Sequence, residues 1–330
     1  MRAGLVAMGI LLLATASLGI AETASVEIKE WTVPWEGSRP RDPYYPGGDR
    51  VWFVGQVGHY LASLEPETGE FKKVELSDSP GPHNLIVGRD GIVWYAGNLK
   101  GYIGRYDPAS GELRRIAMPD AQARDPHTLV FDAAQQHIWF TVQGGNQVGR
   151  LTLTDEKVEL IDVPTPNARP YGIVVASDGT PWVALFGTHA LASIDPQTLA
   201  LTKHELPRSE ARPRRLDLSR DGRVWYVDYA QGYLGAFDPK AQAFEEWKLP
   251  SGAESRPYAM AIDRNDRVWA VETGPSPNVF VGFDPKTEQF LSSTPIPSGA
   301  GSVRHMHYHR DSGRIWFGTD LNTVGYSDVH

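Results

Sequence analysis

Polar and apolar residues alternate along this chain in short runs, and each run ends in a cluster of Gly, Pro, Asp or Asn. The most regular run carries a tryptophan: Val51-Trp52-Phe53, Val93-Trp94-Tyr95, Ile138-Trp139-Phe140, Pro181-Trp182-Val183, Val224-Trp225-Tyr226, Val268-Trp269-Ala270 and Ile315-Trp316-Phe317. The elements around each follow one order. In the second unit a run begins at proline, Pro82-His83-Asn84-Leu85-Ile86-Val87, turns at Arg89-Asp90-Gly91, passes through the Trp run and returns from Gly101 to Asp107. A turn at Asp107-Pro108 leads to a fourth run, Glu112 to Ile116, and Asp-Pro recurs at Asp195, Asp238 and Asp284. Pro presets φ for a turn, and Asp accepts hydrogen bonds from the backbone ahead of it. This pattern, with no period of 3.6, predicts four short strands per unit and no long helix.

The seven tryptophans lie 42 to 47 residues apart, so seven units of about 44 residues account for the chain from residue 22 onward. Four strands at this repeat length describe one propeller blade. The expected fold is therefore all-β, a seven-bladed β-propeller forming a single domain over residues 22–330. The last unit stops after its third run, Thr323-Val324-Gly325-Tyr326. The run Val26 to Val33 resembles the fourth run Phe244 to Leu249, and pairing it with the last blade would close the ring and cover a sheet edge.

Composition narrows the chemistry. There is no cysteine, which excludes disulfides, zinc–thiolate sites, iron–sulfur clusters and a thiol nucleophile. Lys and Arg number 32 against 40 Asp and Glu, and a net charge of −8 argues against nucleic acid as a partner. At the N-terminus, Arg2 precedes an apolar run from Leu5 to Leu18 and small residues at Gly19 and Ala21. This reads as a secretory signal peptide over residues 1–21, cleaved after Ala21. The run is short for a membrane span, and no basic stop-transfer cluster follows it. The expectation is a periplasmic or secreted monomer, with no membrane span in the mature chain, acting on a small-molecule ligand.

Aligning the units places one residue per blade at the start of the inner strand: Arg41, His83, His127, Tyr171, Arg214, Tyr258 and Arg304. None is aliphatic. In a propeller these positions ring the axial channel, so they predict a pocket for a ligand with carboxylate, phosphate or ester oxygens, which Arg binds through its planar fork. Asp228 and Glu272 occupy one repeat position in adjacent blades, just after the Trp run, and are candidate metal ligands, with pairing to Arg214 and Arg256 as the alternative reading. His305, His307 and His309 alternate along one strand and so should project to one side. His305 lies nearest the mouth, whereas His307 falls at a position that is apolar in other units and reads as a buried core residue.

The segments from Arg169 to Phe186, Gly81 to Asp107 and Val163 to Ile173 resemble the repeat of the virginiamycin B lyase (streptogramin B lyase) family, and the resemblance extends over all seven units. It implies a seven-bladed propeller, a metal-assisted carbon–oxygen lyase that opens cyclic depsipeptide antibiotics by elimination at an ester, and a divalent metal, usually magnesium. The family signature is an acid-Pro-His unit, a second His in the preceding blade and a Glu after the Trp strand. Asp125-Pro126-His127 and His83 match the first two elements, with Gln143 standing near the place of the Glu. This makes His127 the expected base with His83 beside it, Asp125 and His83 metal ligands, and Gln143 a weak ligand. Glu272 matches the late Glu in another blade, but there Tyr258 and Arg214 replace the two histidines. The alternative expectation is a non-catalytic propeller that binds an anionic ligand or a protein segment.

Overall fold

The computed structural model describes residues 25–329; the targeting segment read at residues 1–21 lies outside them. Within them the chain forms twenty-eight strands, β1 to β28 in chain order, arranged as seven four-stranded antiparallel sheets. The inner strands of blades 1 to 7 are β2 (Pro40–Tyr44), β6 (Pro82–Val87), β10 (Pro126–Phe131), β14 (Pro170–Val175), β18 (Pro213–Leu218), β22 (Pro257–Ile262) and β26 (Val303–His309). The all-β, seven-bladed propeller and its closure are as the repeat predicts. The first strand, β1 (Glu27–Thr32), pairs antiparallel with the last, β28 (Thr323–Asp328), from Glu27 opposite Asp328 to Thr32 opposite Thr323. The Glu30 carboxylate fastens this seam by accepting from the Ser298 amide, the Ser298 hydroxyl and the Thr323 hydroxyl.

The core lies between blades. Trp139 of blade 3 packs on Ile173, Val183 and Leu185 of blade 4, and Trp225 of blade 5 packs on Met260 and Ile262 of blade 6. Burying a side chain of this size contributes about 2–3 kcal/mol each, repeated around the ring. The glycine in the third strand is a packing partner for the aromatic that follows the Trp. Tyr95 stands opposite Gly104 and Phe140 opposite Gly149, where a Cβ would fall 2.0 Å from a ring atom. Where that aromatic is replaced by Val183, the opposite residue is Ala192.

Candidate active site at the channel mouth

Each inner strand carries a β-bulge immediately after its first or second residue. In blades 2 to 7 the register with the second strand shifts between the first and fourth residues, as between Pro82 and Leu85, and in blade 1 between Arg41 and Tyr44. A bulge frees residues from the alternation that would send neighbours to opposite faces. Two consecutive side chains per blade therefore reach the axis. The upper layer is the ring Arg41, His83, His127, Tyr171, Arg214, Tyr258 and Arg304. The lower layer is Asp42, Asn84, Thr128, Gly172, Arg215, Ala259 and His305. Asp42 takes φ 49°, a left-handed conformation that Asp tolerates better than most residues. Gly172 is demanded by proximity, since a Cβ there would meet the Arg214 carbonyl at 2.8 Å.

The lower layer is a hydrogen-bonded belt across the channel. Asp42 accepts from Arg41 Nε at 2.9 Å and from Asn84 Nδ2 at 3.0 Å, and lies 3.5 Å from Arg215 Nη2. Arg215 reaches over the axis from blade 5 to donate to Thr128 Oγ1 at 3.0 Å and to the Arg304 carbonyl at 3.1 Å. All three of Asp42, Asn84 and Arg215 are buried. Beneath the belt lies a cavity of about 300 Å³ lined by Leu85, Leu129, Ile173, Asp217, Met260 and His305. Arg41 and Arg215 hold the Asp42 carboxyl well below its usual range against the opposing effect of burial.

In blades 2 and 3, the His83 and His127 rings meet at a tilt of 38° with centroids 3.6 Å apart, and His127 meets Tyr171 at 4.2 Å. Burial pushes both imidazoles well below the usual histidine range, and Arg41 and Arg215 push them further. Both rings are thus neutral. His83 Nδ1 lies 3.2 Å from the His127 carbonyl, which only accepts, so Nδ1 carries the proton and Nε2 the lone pair. His127 Nδ1 lies 2.8 Å from Thr128 Oγ1, a hydroxyl that accepts from Arg215 and has a second lone pair, so either nitrogen of His127 can carry its proton.

The opposite sector joins blades 4 to 7. The Tyr171 and Tyr258 hydroxyls are hydrogen-bonded to each other. The Arg214 guanidinium lies 3.6 Å from the centroid of the Tyr258 ring and is boxed by Tyr229 at 4.4 Å and Phe186 at 4.7 Å. Arg304 approaches Tyr258 at 5.6 Å and is clamped by Asp320 through two bonds of 2.9 and 2.5 Å. Burial alone would raise the Tyr258 phenol, but Arg214, Arg41, Arg215 and Arg304 together pull it down to about 8. Tyr171 moves up, because it is buried and faces the charge developing on Tyr258. The pair therefore shares one readily lost proton.

The carboxylates expected at a metal are engaged elsewhere. Asp125 accepts from the Gly144 and Gly145 amides and ties down the turn beside Gln143. Asp228 is fully buried, accepts from the amides of Arg212 and Ala230, and pairs with Arg208 at 2.9 Å rather than with Arg214. Glu272 grips Ser251 through its amide at 2.9 Å and its hydroxyl at 2.7 Å, not Arg256. Among the described residues no three of His, Cys, Asp and Glu come together as a metal group. The residues present do not supply the donor set that a divalent cation of the resembled family would need. The three histidines of β26 also separate. His305 sits in the bulge facing the channel, held near 3 by burial and Arg215. His307 stacks on Tyr44 at 4.1 Å and bonds the Tyr45 carbonyl, so it is satisfied as expected but half-buried rather than in the core, while His309 bonds Ser312.

Fold and site together define a seven-bladed propeller whose channel carries at one end a buried, basic cluster around Tyr258. The virginiamycin B lyase family model matches residues 13–194, more than half of the chain, and the chain belongs to that family. Among solved structures, it is similar to a streptogramin B lyase at 21% identity and a TM-score of 0.82, covering 92% of this chain and 98% of that one. It is also similar to virginiamycin B lyase from Staphylococcus aureus at 20% identity and a TM-score of 0.83, covering 93% and 100%, including a catalytically inactive His-to-Ala form with quinupristin. The same fold appears in hydrazine synthase from Kuenenia stuttgartiensis at 14% identity, a TM-score of 0.75 and coverage of 90% and 97%. No curated protein matches the sequence.

Proposed function

We propose that this protein is a lyase that breaks a carbon–oxygen bond of an ester-bearing small molecule by elimination, with Tyr258 rather than His127 as the base. The observation that carries this reading is the Tyr258 hydroxyl hydrogen-bonded to Tyr171, with the Arg214 guanidinium 3.6 Å from its ring centroid and Arg304 at 5.6 Å, cations that favour the phenolate. A base poised near the working pH combines a populated basic form with real proton affinity. The phenolate removes a proton from the carbon next to an acyl carbonyl. The carbon–hydrogen pair becomes the new double bond, the bond from the β-carbon to oxygen breaks, and the oxygen leaves with its pair as a carboxylate. Negative charge gathers first on the carbonyl oxygen and then on the leaving group. Arg214 and Arg304 are positioned to receive it, fixed in advance by their aromatic box and by Asp320. His83 Nε2 offers an acceptor.

Family membership supports this chemistry, and export of the mature chain to a periplasm or medium fits the N-terminal run. No step is routed through a metal. The direct test is to incubate the full mature chain with quinupristin, the ligand of the S. aureus relative, and look for the ring-opened product by mass spectrometry. Product formed by wild type and abolished in Tyr258→Phe is the expected result. Product undiminished in Tyr258→Phe and lost in His127→Ala would return the base role to His127. The engagement of Asp228 and Glu272 with local partners favours a second reading, a propeller that binds an anionic ligand without turnover, for which quinupristin would stay intact.

A further inference from the structure

Below the hydrogen-bonded belt the channel changes character. The cavity of about 300 Å³ there is walled mainly by the third to fifth residues of the inner strands, and its size is at the lower end of the range for small-molecule sites. At the fifth position, blades 2 to 4 carry Ile86, Val130 and Val174, which form an aliphatic wall. The wall across from it is polar, with Asp217 in blade 5, His307 in blade 7 and Tyr44 in blade 1. Ala261 of blade 6 stands between Asp217 and His307 and has the smallest side chain of this ring. Asp217, His307, Val130 and Val174 are half-buried rather than sealed, and each of them lines the cavity.

The Asp217 carboxylate differs from the other aspartates of the interior. Asp42, Asp228 and Asp263 are buried, and each has an arginine beside it, at 2.9, 2.9 and 2.6 Å. Asp217 pairs with no cation among the described residues. It accepts only from the backbone amides of Leu218 and Ile262, each at 2.8 Å. A carboxylate offers about four acceptor sites, so two remain for a ligand. Burial with no cation nearby pushes this group up to about 6, which still leaves it ionised above neutral pH. Arg215 also lines the cavity, but it directs its donors to Thr128 and the Arg304 carbonyl and lies against Asp42. His305 and His307 are held to about 3 and about 4, chiefly by burial, and add no charge. His307 Nε2 faces the Tyr45 carbonyl, which only accepts, so Nδ1 keeps a lone pair. An unanswered negative charge therefore faces an aliphatic wall across one small cavity.

We propose that this lower cavity is a binding site for a protonated amine on a compact hydrocarbon body, with the ammonium beside Asp217 and the body against Ile86, Val130 and Val174. A carboxylate drawn out of water without a counter-charge is unfavourable, and an entering cation relieves it. An ammonium brings both the missing charge and three donors, and a charge-assisted hydrogen bond is about twice as strong as a neutral one. A hydroxyl brings a donor without the charge, and an anion is repelled. The small side chain of Ala261 leaves room for the head group next to Asp217. The site lies across the belt from Tyr258, so it stands or falls independently of the elimination.

The test uses the full mature chain at about pH 8, where an alkylamine is protonated and Asp217 is ionised. Cyclohexylamine, cyclohexanol and cyclohexanecarboxylate share one body and differ in charge, and each is titrated by calorimetry and thermal shift. Cyclohexylamine should raise the melting temperature at ~10 mM. The alcohol and the acid should bind at least ~10-fold more weakly, because neither answers the buried charge. Asp217→Asn keeps the shape and removes the charge, and should bring the amine down to the affinity of the alcohol. Val174→Phe fills the aliphatic side without touching the carboxylate and should abolish binding of the amine. If one variant melts early, the other carries the comparison. The proposal is overturned if the amine binds no better than the alcohol or the acid, if none of the three binds, or if a folded variant of either kind binds the amine like wild type.

Discussion

His83 with His127, in neighbouring blades, and Tyr171 with Tyr258, with one blade between them, are two pairs of titratable rings at equivalent repeat positions, and one positive field acts on both. Arg41 and Arg215 push the imidazoles down, and with Arg214 and Arg304 they push the Tyr258 phenol down too. The direction is shared but the result is opposite. A depressed histidine loses its charge at neutral pH, whereas a depressed tyrosine gains one. The field that keeps the histidine sector neutral favours the ionised form of the Tyr258 phenol.

The comparison breaks most visibly at Tyr258. Tyr258→Phe should lower kcat for ring opening of quinupristin by about 10²–10⁴-fold while leaving the melting temperature within a few degrees, measured by mass spectrometry and calorimetry. Removing a carboxylate from the belt comes next. Asp42→Asn leaves Arg41 and Arg215 buried without their counter-charge, and should cost roughly 3–5 kcal/mol in a denaturant titration. The sign with pH follows from the lowered Asp42 group. Its contribution is present above the unfolded carboxyl range and is lost as pH falls through the folded value. The acid limb of the stability curve should therefore be shallower in the Asn variant.

Arg214→Met sharpens the field argument. Without the cation over its ring, Tyr258 should titrate about one unit or more above its value near 8, and the rising limb of the pH–rate profile should move up with it. An unmoved limb would mean that the phenol is not the titrating base. The histidine sector predicts a smaller effect of its own. His83 and His127 stay neutral in the folded chain while their unfolded counterparts protonate below about pH 6.5, so stability falls as pH drops through that range. Replacing both with Gln should flatten this slope between pH 7 and 5, by at most ~1.4 kcal/mol per pH unit for each residue. The smallest change is expected from Glu272→Gln. It loosens the Ser251 loop by about 1 kcal/mol and should lower kcat less than tenfold, with or without added magnesium. A loss beyond a hundredfold that tracks magnesium would restore Glu272 as a metal ligand.

The blades were readable in one dimension because their packing is local and repeated. A Trp every 42 to 47 residues, a Gly opposite the following aromatic in blades 2, 3, 5 and 7 and a Pro at the start of the first six inner strands each answer a demand within one blade or its neighbour. The upper ring was readable for the same reason. The lower layer was not, because alternation sends Asn84, Thr128 and Arg215 away from the channel, and only the bulge turns them inward. A signal was present: successive polar residues at His83-Asn84, His127-Thr128 and Arg214-Arg215, where a half-buried strand would place one apolar side chain.

The sequence by itself determined the number of blades, the closing strand and which residue types reach the mouth, since these follow from periodicity and turn chemistry. Only the tertiary structure decided what those residues do. Asp125, Asp228 and Glu272 differ from a metal set by where their oxygens point, which depends on loops from the preceding blade. His127 and Tyr258 differ in proton affinity through cations contributed by three other inner strands. Both are sums over groups distant in the chain, and electrostatic effects of that kind appear only when the ring is closed.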